Sequence, residues 1–162
     1  MKWIIPACIT FLLCQGTASA DEIQQAVDLL SISLKCPIKP YSVHGNGDGH
    51  FARTIAKYIG SKAKLAITIE ERIDNEQVDG RSTLTASYRE LSPATVSESP
   101  FEVFADGRPA FDVQLNCLGG SQCIAENGHL QMQESFYRFI VCDQDTAENI
   151  KIAINTLIRL NR

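Results

Sequence analysis

The sequence predicts an α+β fold, in which six or seven antiparallel strands form a small barrel or sandwich accompanied by two helices. Apolar residues recur at helical spacing near both ends of the chain, and they alternate with polar residues in between. Clusters rich in Gly, Pro and Asp separate the alternating segments, as is typical of turns between strands. We therefore expect a helix, then a run of strands, then a second helix in one domain.

The first twenty residues have the pattern of a secretory signal peptide. Lys2 precedes an apolar run at 3–13, and small side chains at 18–20 suit the pocket of a signal peptidase. The apolar run is shorter than the roughly 20 residues that span a bilayer. The sequence predicts a leader over 1–20, a domain over 21–162, no transmembrane segment, and a periplasmic or secreted location.

The cysteines that remain after the leader are Cys36, Cys117, Cys123 and Cys142. An even number in an exported chain predicts two disulfides. Cys117 and Cys123 flank the sequence LGGSQ, and a three-residue hairpin loop there would place them opposite each other on paired strands. Cys36 would then pair with Cys142, although four cysteines allow three pairings and the sequence does not settle which one forms. The alternatives are a zinc site formed by these cysteines and a lipid anchor on Cys14.

Two segments have the apolar spacing of amphipathic helices. The first is 22–35, before Pro37, and its apolar positions are Ile23, Ala26, Val27, Leu30 and Leu34. The second follows Asp145, a predicted N-cap, with Glu148 three positions on in a capping-box arrangement. Its apolar positions are Ala147, Ile150, Ala153, Ile154, Leu157 and Ile158.

The segments predicted as strands lie at 65–69, 84–88, 101–103, 111–117, 123–125 and 135–142. The segment at 51–60 fits a helix and a strand equally well. NEQVDG at 75–80 is predicted to be a turn, and Asp106-Gly107 is a strong hairpin signal. LGGSQ is predicted to join its neighbouring strands as a second hairpin.

The stretches KLAITIEERI, RSTLTASYREL, FEVFADGRPAFDVQLNC and FIVCDQDTAENIKIAINTLI together resemble a PH-like barrel in element order. The resemblance implies a strongly bent antiparallel sheet with one open end covered by the C-terminal helix. The chain departs from the cytosolic pattern by an extra N-terminal helix, four cysteines and a leader, and it lacks a clear basic ligand loop. A small β-sandwich with added helices is the alternative fold.

The sequence HGNGDGH holds the metal-ligand candidates His44, Asp48 and His50. Two imidazoles and a carboxylate suit zinc, copper or nickel, although the spacing matches neither HExxH nor a calcium loop. Ordering so many glycines costs backbone entropy, so a solvated turn is the preferred interpretation. The glycines also lack the spacing and the preceding strand of a dinucleotide site.

The composition argues against several function classes. The formal net charge is −4, and it becomes −5 when Lys2 leaves with the leader, which gives no support for nucleic-acid binding. There is no GxSxG motif, and two disulfides would consume the cysteines that could act as nucleophiles. We therefore expect a binding domain without a cofactor rather than an enzyme, and the alternative is a small metal-binding or hydrolytic protein that uses His44, Asp48 and His50.

The predicted partner is a protein or another component of the cell envelope. The candidate contact residues lie in the two turns, and they are Asp106, Arg108, Gly119 and Gly120. An exposed aromatic residue beside either turn would be a natural anchor. A basic cluster of Arg53, Lys57, Lys62 and Lys64 suits an anionic envelope surface, an acidic partner or simply solvent. An enzyme inhibitor that presents the Cys117–Cys123 hairpin is a further alternative.

Overall fold

A computed structural model describes residues 14–34, 41–42, 51–73, 76–103, 107–128, 132–141 and 143–162. The helices are α1 (Cys14–Ser33) and α2 (Gln144–Leu160). The strands are β1 (Tyr41–Ser42), β2 (Phe51–Tyr58), β3 (Lys64–Ile73), β4 (Glu76–Ser87), β5 (Thr95–Val103), β6 (Pro109–Asn116), β7 (Ile124–Gly128), β8 (Met132–Glu134) and β9 (Phe136–Val141). Two short 3-10 helices span Tyr88–Glu90 and Leu118–Gly120.

The strands form two antiparallel sheets, so the predicted α+β class is confirmed. One sheet has the order β1-β5-β6-β9 and the other has the order β2-β3-β4-β7-β8. Among the strands that the structure describes, no ladder joins the two sheets into a closed barrel, which agrees with the sandwich alternative more than with a PH-like barrel. All six predicted strands form, the open segment at 51–60 supplies a seventh, and the two short strands β1 and β8 are additional.

The structure settles one open alternative and corrects two local predictions. The segment at 51–60, which fitted a helix and a strand equally well, supplies β2. Residues 76–80, predicted as part of a turn, belong to β4, because β3 and β4 pair as far as Ile73 opposite Glu76. The N-cap of α2 is Asp143, not Asp145, since the Asp143 side chain accepts a hydrogen bond from the Thr146 amide.

The predicted hairpin at LGGSQ is wrong. β6 pairs with β5 and β9, whereas β7 pairs with β4 and β8, so the loop carries the chain from one sheet to the other. A short 3-10 helix at Leu118–Gly120 turns the backbone there, with Gly119 and Gly120 at φ of 61° and 73°. A Gly-rich stretch between two strands is compatible with a hairpin and with a crossover from one sheet to another. The spacing of these residues alone could therefore not distinguish the two structures.

The core lies where both sheets meet the helices. Every predicted apolar position of α2 is buried. From α1, Ala26, Leu30 and Leu34 enter the same cluster, together with residues of β3, β4, β6, β7 and β9. α2 packs mainly against α1 and, among the strands, on β5, β6 and β9. An ion pair between Glu22 and Arg159 places the start of the predicted mature chain beside the last turn of α2.

Candidate partner-binding site

The loop between β6 and β7 is closed by a disulfide. Cys117 and Cys123 are bonded, with their Cα atoms 5.7 Å apart, which agrees with the predicted pairing although they do not face each other on paired strands. Residues 118–122 between them are all exposed. Only glycine adopts positive φ angles such as those of Gly119 and Gly120 without steric strain, so these two residues allow the tight turn. Residues 118–122, which we call the braced loop, are therefore exposed and covalently restrained.

Hydrogen bonds attach this loop to its neighbours at the same end of the molecule. The Cys117 amide donates to the Ser135 carbonyl oxygen at 2.8 Å, and Leu91 forms an isolated antiparallel bridge with Cys117. The Cys123 sulfur lies 3.5 Å from the Glu90 carbonyl oxygen. The braced loop is thus in contact with the start of β9 and with the segment that leaves β4.

The β2–β3 loop and the last residues of α2 join the same end. The Tyr88 amide donates to the Ala63 carbonyl oxygen at 3.2 Å. The Asn161 side chain donates to the Lys62 carbonyl oxygen at 2.7 Å, and the Arg162 guanidinium donates to the Leu91 carbonyl oxygen at 3.0 Å. We call the region formed by residues 59–64, 88–91, 117–123, 134–136 and 161–162 the disulfide end.

Two tyrosines hold the β2–β3 loop against the 3-10 helix at the disulfide end. The hydroxyl oxygens of Tyr58 and Tyr88 lie 3.2 Å apart, and the Tyr58 hydroxyl also reaches the Ser61 carbonyl oxygen at 3.4 Å. Burial raises the pKa of the Tyr88 phenol strongly, and the neighbouring Tyr58 raises it further. The pKa of Tyr58 is also raised by burial. Both phenols therefore remain protonated at neutral pH and act as structural hydrogen-bonding groups.

Three large apolar side chains are exposed at the disulfide end. Leu118 in the braced loop is 42% exposed, and Phe136 at the start of β9 is 47% exposed. Phe136 is opposite Asn116, the residue just before the disulfide loop, so it stands beside that loop. Ile59 in the β2–β3 loop is 49% exposed. Phe136 therefore meets the description of an exposed aromatic anchor beside a turn.

Exposed cations accompany these apolar side chains. Lys62, Lys64 and Arg89 are all exposed, and we call these three the basic group. Lys57, also exposed, lies one residue before the end of β2. Arg159 is paired with Glu22, so it is partly neutralised. Lys57, Lys62 and Lys64 come from the predicted basic cluster, and the fold adds Arg89 to them.

The structure separates the two predicted sets of contact residues. Gly119 and Gly120 lie at the disulfide end, whereas the exposed Arg108 precedes β6 at its other end. Eight residues of β6 lie between them, a distance of about 25 Å in an extended strand. One small partner surface would therefore not contact both turns, and the braced loop is the better candidate because Leu118 and Phe136 accompany it.

Several predicted residues lie outside the described part of the chain. They are the metal-ligand candidates His44, Asp48 and His50, the cysteines Cys36 and Cys142, and the turn residue Asp106. The metal site and the second disulfide therefore remain predictions. Within the described ranges, no group of three or more His, Cys, Asp or Glu side chains is arranged to hold a metal ion.

Sequence reasoning named the loop but missed its apolar neighbours. Phe136 lies in the predicted strand at 135–142, but that strand prediction did not say which of its side chains face outward. From β9, Tyr137, Phe139 and Val141 are the residues that contact the core. Strict alternation along β9 would have placed Phe136 and Arg138 on the outward face. Leu118 and Arg89 had no such signal, because both lie in short 3-10 helices whose orientation depends on the tertiary fold.

Among the residues described by the structure, neither helix is both long enough and apolar enough to cross a membrane. The chain matches no family model, no curated protein and no solved structure. Function must therefore be argued from the surface of the molecule itself.

Proposed function

We propose that this chain is an exported, non-catalytic binding domain that contacts a component of the cell envelope through its disulfide end. The observation that carries the proposal is the exposure of Leu118 and Phe136 on and beside a loop closed by the Cys117–Cys123 disulfide. Aromatic side chains are enriched among the residues that dominate the energy of typical protein interfaces. The burial of aliphatic surface on contact is also favourable, because it removes apolar area from water.

The disulfide supports this proposal in two ways. A loop that is already restrained loses less conformational entropy when it binds, so more of the contact energy appears as affinity. Disulfides also persist mainly in oxidising compartments, which agrees with the predicted leader and a periplasmic or secreted location. The resemblance to PH-like barrels supports the proposal only through the order of the secondary-structure elements, in which strands are followed by a helix that packs on one sheet.

The proposal is tested by sedimenting the oxidised 21–162 chain with envelope membranes prepared from its own cells. The Leu118→Ala/Phe136→Ala double variant should bind about tenfold more weakly, since two exposed apolar contacts would be lost. The matched control is Ile152→Ala, which removes a side chain that is 56% exposed on α2.

The control variant should bind as the unmodified chain does. No sedimentation of the unmodified chain would refute the proposed function. Equal binding by the double variant and the control would show that the disulfide end is not the contact surface.

A further inference from the structure

We infer that the envelope component contacted by the disulfide end is the surface of an anionic lipid bilayer. The basic group would face the lipid headgroups while Leu118 and Phe136 enter the interfacial layer. This inference rests on the proposed function and makes it more specific, because it names the chemistry of the partner.

The first support is the separation of charge along the molecule. The basic group lies where α2 ends, and the exposed Asp143 and Asp145 lie where α2 begins. Seventeen helical residues place these two regions about 25 Å apart. That distance exceeds the Debye length of about 8 Å at physiological ionic strength, so a surface near the basic group would not feel the acidic end. Within the disulfide end itself, the four cations Lys62, Lys64, Arg89 and Arg162 outnumber the two carboxylates of Glu90 and Glu134. A chain of net negative charge can therefore present a locally cationic end to an anionic surface.

The second support is the combination of cations with exposed apolar side chains on loops. Leu118 and Ile59 lie in connections between strands, and Phe136 is the first residue of β9. Interfacial binding typically requires two weak signals together, a basic surface for the headgroups and apolar groups for the acyl boundary. The described residues of the disulfide end supply both signals within the same few segments.

The inference is tested with protein-free vesicles and the oxidised 21–162 chain. Vesicles of phosphatidylcholine alone are compared with vesicles that contain 30% phosphatidylglycerol, and the bound fraction is measured by sedimentation at low and high salt. We expect clear preference for the phosphatidylglycerol vesicles and a loss of binding in about 0.5 M salt, where the Debye length is only a few ångströms.

Two variants with the same change in net charge locate the contact. Lys62→Ala/Lys64→Ala should weaken binding to anionic vesicles about twentyfold, since each lysine near an anionic surface contributes roughly a fivefold factor. The control Lys151→Glu alters charge by the same amount on α2, where Lys151 pairs with Glu148, and should change binding less than twofold. The Lys62 and Lys64 carbonyl oxygens accept hydrogen bonds from Asn161 and Ser61, and these backbone contacts survive side-chain truncation.

The outcomes distinguish this inference from the proposed function. Binding to envelope membranes without binding to anionic vesicles would overturn the lipid assignment and point to a protein partner at the same surface. Equal effects of the lysine variant and the Lys151→Glu control would also overturn it, because the attraction would then follow net charge rather than the basic group. Preference for anionic vesicles, lost only in the lysine variant, would support it.

Discussion

A carboxylate in the core shows how much a single polar residue depends on its neighbours. Glu126 on β7 is 2% exposed and lies opposite Leu84, among the core-facing residues of its sheet. Its carboxylate accepts a hydrogen bond from the hydroxyl of Ser82, itself buried. Since a buried acceptor that loses its donor bears the full cost of desolvation, this pair should be sensitive to the removal of either partner.

Replacing Ser82 with alanine should lower the free energy of unfolding by about 1–3 kcal/mol, because the Glu126 carboxylate loses a donor while it stays buried. Urea denaturation of the oxidised protein measures the change. Ser87→Ala is the control, since the Ser87 side chain makes no capping hydrogen bond, and it should stay within about 0.5 kcal/mol. Equal losses in the two variants would contradict the assigned role of Ser82.

The buried phenol of Tyr88 predicts a loss of stability in alkali. Its pKa is raised in the folded state. The contribution of this phenol to the free energy of unfolding is therefore fully present below the unfolded pKa of about 10, and it is lost as the pH rises toward the folded pKa. Above about pH 10 the unfolded chain releases this proton while the folded chain keeps it. The slope from Tyr88 should be about 1.4 kcal/mol per pH unit.

Denaturation curves from pH 8 to pH 11.5 should therefore show a shallower alkaline decline for Tyr88→Phe than for the unmodified chain. The variant should also be less stable at pH 8, because the Tyr58 hydroxyl loses one partner. An unchanged alkaline slope would show that Tyr88 ionises as readily in the folded protein as in the unfolded chain.

At the scale of elements, the beginning of α2 shows that the tertiary structure decides which of two aspartates serves as the N-cap of a helix. Asp143 and Asp145 both precede an apolar helical pattern, and a capping-box motif favoured Asp145. In the structure the Asp143 side chain accepts from the Thr146 amide at 2.7 Å and from the Thr146 hydroxyl at 2.9 Å. Asp145 instead lies in the first turn, where a negative charge interacts favourably with the helix dipole.

Asp143→Ala should therefore destabilise the protein by about 1–2 kcal/mol, because it removes the cap. Asp145→Ala is the matched control, and its expected cost is about 0.5 kcal/mol, the size of a favourable dipole contact at an exposed position. Thermal denaturation of both variants at neutral pH measures the difference. A larger effect at Asp145 would restore the cap that the sequence pattern predicted.

At the scale of the whole molecule, α1 is part of the core rather than an appendage. Leu30 is fully buried, and Ala26 and Leu34 are nearly so, all in the cluster that contains the buried face of α2. The Glu22–Arg159 ion pair is exposed on both sides and adds little by itself. Apolar contact with α2 is therefore what holds α1 in place.

Leu30→Ala should lower the free energy of unfolding by about 2–5 kcal/mol, the usual cost of a cavity at a fully buried leucine. Ile32→Ala, two residues along the same helix, truncates a side chain that is 70% exposed and should change stability by less than about 0.5 kcal/mol. Urea denaturation of the 21–162 chain measures both. Equal effects would mean that α1 does not dock in solution.

Local chemistry was enough to predict most elements. The 3.6-residue spacing of Ala147, Ile150 and Ile154 predicted the buried face of α2, because helical geometry alone brings those side chains together. Alternation along β6 likewise predicted that Val113 and Leu115 share the core face. The boundaries were less predictable, since β4 begins within a stretch that has the composition of a turn.

The candidate site could be predicted only in part. Cys117, Gly119 and Gly120 were identified because cysteine pairing and positive φ angles follow from residue type. Leu118 and Phe136 were not, because exposure depends on which segments cover a side chain. Arg89 joins the lysines only because β4 and the β2–β3 loop end side by side.

The sequence by itself determined the α+β class, the order of helix, strands and helix, and the apolar face of α2. These depend on local periodicity and on residue chemistry, which act over a few positions. Only the tertiary structure decided that the disulfide loop crosses between two sheets, and that Lys62, Arg89, Leu118 and Phe136 share one end. Strand order depends on long-range packing, since a Gly-rich turn is compatible with either a hairpin or a crossover until the rest of the core is in place.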